Sequence, residues 1–171
     1  MLVMDLDGPN QQLNAEQVVR AIEGFSGPWD GLFANQAEAY YDIFALRHDA
    51  WCPDCCLQRI EAAARFPFAR KRAARKKYIG DRQFKIPVDH PPIAVRSAFG
   101  GLGVYKADAV RNCWYSIKTV GGSKICEHVG LNEAICAKGG SLFILPSLIN
   151  LAPLEHLRAG SGQPIPASLR L

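Results

Sequence analysis

An α/β fold with a mixed sheet flanked by helices is predicted by three features at the start of the chain. Residues 1 to 10, MLVMDLDGPN, form a short apolar run that breaks into Asp5-Leu6-Asp7-Gly8, the pattern of a buried strand ending in two carboxylates. Gly8-Pro9 then turns the chain away. Asn14 next offers an N-cap with Gln17 in the capping-box position, and Val18, Ala21, Ile22 and Phe25 recur at helical spacing. After a break from Gly24 to Gly31, Gly31-Leu-Phe-Ala-Asn has the composition of a second short buried strand. Strand, helix, strand is the rhythm of an α/β sheet.

The aromatic and β-branched content of residues 40 to 46 predicts a strand from Tyr40 to Leu46. Leu57 to Lys77 is predicted as a long helix interrupted at Pro67, and Tyr78 to Pro92, with Pro87, Pro91 and Pro92, as an irregular surface loop lying over a site. Gly100-Gly101-Leu-Gly103 reads as a tight bulge or turn. Leu131 to Ala137 should be helical, with Glu127 and His128 just before it, and Gly139 to Pro146 a final buried strand after a glycine C-cap. From Ala159 the tail AGSGQPIPASLRL reads as flexible. The expectation is one domain over residues 1–158 and a tail over 159–171.

At 171 residues, with 49% hydrophobic and 21% charged, the chain is long enough and apolar enough to bury a core. It has no run of about 18 apolar residues and no secretory leader pattern, so a cytoplasmic location is expected. The net charge of +4 hides an uneven distribution. Residues 65–78, RFPFARKRAARKKY, carry seven Arg or Lys and no acid, leaving 13 basic against 16 acidic residues elsewhere. On a helix, Arg72, Arg75 and Lys76 share one side. They suit phosphates or an anionic membrane surface, with peripheral attachment, unless the face is merely solvated. Without interleaved aromatics, nucleic acid is not expected as a partner.

Asp5 and Asp7 are the leading chemical candidates. Carboxylates at a strand end need a partner, and Mg²⁺ or Mn²⁺ is commonly held by one or two carboxylates plus substrate phosphates. Turn formation or helix capping would use the same residues without any ion. Cys52-x-x-Cys55 has zinc or redox spacing, but Cys113, Cys126 and Cys136 are scattered singly, which favours buried free thiols. Gly100, Gly101 and Gly103 let the backbone approach a ligand, with Lys106 just beyond. Glu127 could serve as a base and His128 complete a metal shell, or Glu127 could simply cap a helix.

Taken together, VMDLDGPN, AYYDIFALRHDAWCP, SAFGGLGVYK and ICEHVGLNEAICAKGGSLFILPSL resemble nucleotide-sugar-dependent glycosyltransferases of the GT-A type over about residues 1–150. The resemblance implies the C-terminal part of a GT-A domain, without the strand-helix repeats that usually precede the Asp-x-Asp strand. It implies that Asp7 coordinates Mn²⁺ or Mg²⁺ on the donor diphosphate, that Asp5 contacts the metal or the ribose, and that His128 faces the metal. Gly100, Gly101 and Lys106 join Asp5 in donor binding, and Glu127 is the catalytic base. The implied partners are a nucleotide-sugar donor and a glycan or other hydroxyl acceptor. Two alternatives remain. Asp5-Leu6-Asp7-Gly8 also resembles the first motif of haloacid dehalogenase-type phosphatases, with Asp5 as nucleophile and Asp7 as acid and base. A non-catalytic form would bind an anionic partner through residues 65–78.

Overall fold

The computed structural model describes residues 1–64, 69–116, 119–120 and 123–169. In chain order its elements are β1 (Leu2–Met4), α1 (Ala15–Glu23), β2 (Gly31–Gln36), α2 (Cys56–Ala64), α3 (Ala69–Tyr78), β3 (Ile93–Val95), β4 (Leu102–Tyr105), α4 (Ala107–Val110), β5 (Thr119–Val120), β6 (Ser123–Lys124), α5 (Glu127–Ala137) and β7 (Leu142–Asn150). Five strands form one mixed sheet in the order β1-β4-β2-β7-β3, and β5 and β6 pair separately. β2 runs parallel to β7, while β4 is antiparallel to both β1 and β2. The C-terminal ends of β1, β2 and β7 therefore point the same way.

Every residue of β2 is buried, as expected of a strand covered on both faces. Its side chains alternate between two cores. Phe33 joins Ile144, Leu142, Leu131, Ile135 and Ile60 on the face covered by α2 and α5. Leu32 and Ala34 join Leu145, Leu148 and Ala21 on the face covered by α1. The α1 cap forms as its sequence predicts, with Asn14 Oδ1 accepting the Gln17 N–H at 2.8 Å. The Gln17 side chain does not close a capping box. It donates instead to the Ile149 carbonyl at 3.1 Å and pins α1 to β7.

Several expectations are corrected. β1 is an edge strand with Leu2 and Met4 exposed, because its partner β4 lies on one side only. Residues 40 to 46 are a buried turn, since Ala45 and Gly100 N–H groups bond to Asp42 rather than to a neighbouring strand. The helix expected over Leu57 to Lys77 is present as α2 and α3 on either side of residues 65–68, and the interruption expected at Pro67 lies outside the described residues. α5 starts at Glu127, so Glu127 and His128 form its first turn. β7 runs past Pro146 to Asn150 by shifting register against β2 between Ala34 and Asn35. The segment after Ala159 is packed, with Ile165 and Leu169 buried and Gln163 accepting the Lys85 N–H at 2.8 Å.

A candidate site at the carboxyl ends of the strands

In open α/β sheets, ligands bind beyond the carboxyl ends of the strands. Asp5 and Asp7 follow β1, Tyr41 and Asp42 follow β2, and the loop at Gly100 and Gly101 enters β4 at the same end. The backbone here is held by buried amides. Gln36 Nε2 and Asn150 Nδ2 both donate to the Gly100 carbonyl at 2.9 Å, and Gln36 Nε2 also reaches Asn150 Oδ1 at 2.9 Å. Asn10 Nδ2 donates to the Asp5 and Gly101 carbonyls at 2.9 and 2.8 Å. These bonds stitch the ends of β1, β2, β4 and β7 together.

On this frame sits an acidic group of side chains. Asp5 is half-buried and its carboxyl hydrogen-bonds with the Tyr41 hydroxyl; burial raises its pKa, and the charges of Asp7 and Glu127 add to the rise. Asp42 accepts the Ala45 and Gly100 N–H groups at 3.1 Å each. Its pKa is nevertheless raised, by burial above all and also by Asp5 and Glu127. The Tyr41 hydroxyl is raised by burial and then by Asp42, Asp5 and Asp7. Four carboxylates thus share one field, with the His156 ring 5.4 Å from the Tyr41 ring. Glu127 and Asp7 are the exposed members.

His128 stacks on Phe99 with ring centres 3.7 Å apart and meets Tyr115 edge-on at 5.3 Å. Burial lowers its pKa, so the ring is neutral near pH 7, and its Nδ1 is buried without a partner among the described residues. Gly100 and Gly101 have φ of +64° and +78° and are packed against the chain itself. A Cβ on Gly100 would lie 2.7 Å from the Ala34 carbonyl oxygen, and one on Gly101 would lie 2.9 Å from the Tyr41 hydroxyl. Lys106 is not brought to this site. It follows the opposite end of β4, with Nζ 5.0 Å from the centre of the Trp29 ring.

Among the described residues no three His, Cys, Asp or Glu side chains are grouped closely enough to hold a metal ion, and all six cysteines are free. The carboxylates nevertheless have the chemistry of a hard cation's site, oxygen ligands with excess negative charge. Sequence reasoning missed Tyr41, Asp42, Gln36 and Asn150. A lone acid inside the apolar run AYYDIFAL was the available signal for Asp42, since a buried carboxylate must be satisfied by something. No protein-family model, curated protein or solved structure matches this chain.

Proposed function

We propose that this chain is a metal-dependent glycosyltransferase of the GT-A kind, moving a sugar from a nucleotide-diphosphate donor to an acceptor hydroxyl. The observation that carries the reading is the shared negative field of Asp5, Asp7, Asp42 and Glu127 at the carboxyl ends of parallel strands. Such a field favours a cation arriving with an anionic substrate. Mg²⁺ or Mn²⁺ needs only one or two protein carboxylates when substrate phosphates supply the rest, so the lack of a three-residue cluster is compatible with this role.

In this reading the exposed Asp7 would hold the metal, and Tyr41, hydrogen-bonded to the Asp5 carboxyl, would orient it toward the metal or the ribose. His128, with its orphaned Nδ1, stands beside Glu127. The ion would stabilise the departing nucleoside diphosphate. Glu127, in the first turn of α5 and open to solvent, takes the proton from the acceptor hydroxyl. Gly100 and Gly101 shape the donor side through the loop that carries them, and Lys106 has no part at this distance along β4.

The test is thermal unfolding of the full chain with UDP- and GDP-sugars, each with and without Mn²⁺. A ligand about 100-fold above its Kd stabilises by about 2.7 kcal/mol, which is several degrees in Tm at this size. The expected result is a shift that needs both metal and donor and disappears in Asp7→Ala. No shift with any donor, or one retained in Asp7→Ala, would overturn the assignment. Phosphate-ester hydrolysis lost in Asp5→Asn would favour the phosphatase instead.

A further inference from the structure

Helix α3 and the loop at Arg158 border an open cavity of about 600 Å³, lined by the exposed Arg72, Arg75, Lys76 and Arg158 with Ala73 and Ala159 between them. A second cavity of about 230 Å³ lies against it, and Arg75 and Arg158 stand in the walls of both. Its lining changes character to Phe44, Leu57, Ile60 and Ile79, with Lys71 and Glu61 as its remaining charged residues. Lys76 is engaged by Asp81. Among the described residues no carboxylate lies within ion-pair distance of Arg72, Arg75 or Arg158.

We infer that these adjoining cavities, which share Arg75 and Arg158, bind a phosphorylated membrane lipid, its phosphate held by Arg72, Arg75 and Arg158 and the start of its apolar chain entering the Phe44–Leu57–Ile60–Ile79 chamber. Guanidinium groups match phosphate oxygens in a fork that a lysine cannot reproduce. Their alkyl stems extend the apolar wall outward, so the cationic mouth and the chamber behind it form one amphipathic surface. Neither a nucleic-acid backbone nor a free phosphate has a use for a chamber lined by Phe, Leu and Ile. The lipid headgroup would also lie near the acidic site. Gln83 accepts the Arg158 N–H at 2.9 Å and donates to the Tyr41 and His156 carbonyls at 3.0 and 2.9 Å. This binding stands apart from the glycosyltransferase reading and does not require it.

The experiment is co-sedimentation of the full chain with phosphatidylcholine vesicles with and without phosphatidic acid. The expected result is binding only to the phosphatidic acid vesicles, unaffected by added inorganic phosphate at equal phosphate concentration. It should weaken about tenfold or more in Arg75→Ala/Arg158→Ala, whose side chains are exposed and should leave Tm nearly unchanged. Lys77→Ala serves as the charge control, because Lys77 faces the Tyr78 ring rather than either cavity. Leu57→Asn should weaken binding of a short-chain phosphatidic acid measured by titration calorimetry. Four outcomes would overturn the inference: no binding, equal binding to neutral vesicles, displacement by inorganic phosphate, or equal loss from Lys77→Ala. The last would signify diffuse surface charge only.

Discussion

His128 shows how much of the site's behaviour is decided by a single ring. Neutral imidazole stacks on Phe99, and burial disfavours its protonation more than Glu127 favours it. The unfolded chain therefore takes up this proton at a higher pH than the native protein does. Stability held by the neutral ring is complete above about pH 6.5 and is lost as pH falls from there through the lowered native value. His48 is lowered by burial in the same sense, its Nδ1 accepting the Ala50 and Trp51 N–H groups at 3.2 and 3.1 Å. We expect His128→Phe, which keeps the stack, to reduce the acid-side slope of unfolding free energy against pH by up to about 1.4 kcal/mol per unit. The contribution of His48 should remain. Urea denaturation at several pH values measures this, and an unchanged slope would mean that the native ring takes up its proton at the same pH as in the unfolded chain.

At the scale of elements, the turn at residues 99–101 that launches β4 makes the corresponding demand on the backbone. Gly100 has positive φ, and its missing Cβ leaves room for the Ala34 carbonyl and the Gln36 amide. Gly100→Ala should therefore cost roughly 2 kcal/mol or more in the protein without any ligand, from strain and from disturbed buried hydrogen bonds. A variant of native stability that had lost only donor binding would place Gly100 in the donor site instead. Elements with a local signal were legible in the sequence. Asn14 and the period of Val18, Ala21 and Ile22 specify α1, and the apolar Leu32-Phe33-Ala34 marks β2 as a short buried strand. What was not legible depends on partners far along the chain. An apolar run at an edge looks the same as one at the centre, so β1 was expected to be buried. AYYDIFAL has strand composition, but Asp42 takes its hydrogen bonds from Ala45 and from Gly100, 58 residues away. Asp5 and Asp7 were visible as site candidates. Glu127 was visible as a candidate too, and Tyr41 joins the three only through the topology of the sheet.

For the whole molecule, the segment after Arg158 decides how the site is supported. Its composition, rich in Gly, Ser, Pro and Ala, is that of a flexible tail, yet Ile165 and Leu169 are buried in the core shared with α2 and β7. Its backbone closes over the loop at Gln83, with Gly162 donating to the Gln83 carbonyl at 2.8 Å and Ile165 to that of Lys85 at 3.2 Å. Gln83 in turn uses its side chain to hold Tyr41, His156 and Arg158, so the segment braces both the acidic site and the arginine-lined cavity. Burying two aliphatic side chains of this size stabilises by about 3–6 kcal/mol. That is a large share of the 5–15 kcal/mol by which domains are typically stable. Ending the chain at Arg158 should therefore lower Tm by roughly 10 °C or more. Hydrogen exchange should show the amides near Gln83 and Tyr41 opening before those of β2. A tail without structural work would leave both measurements unchanged. The double substitution Ile165→Ala/Leu169→Ala separates side-chain burial from backbone closure: a loss close to that of truncation assigns the support to the two side chains, and a much smaller loss assigns it to the backbone bonds with Gln83 and Lys85.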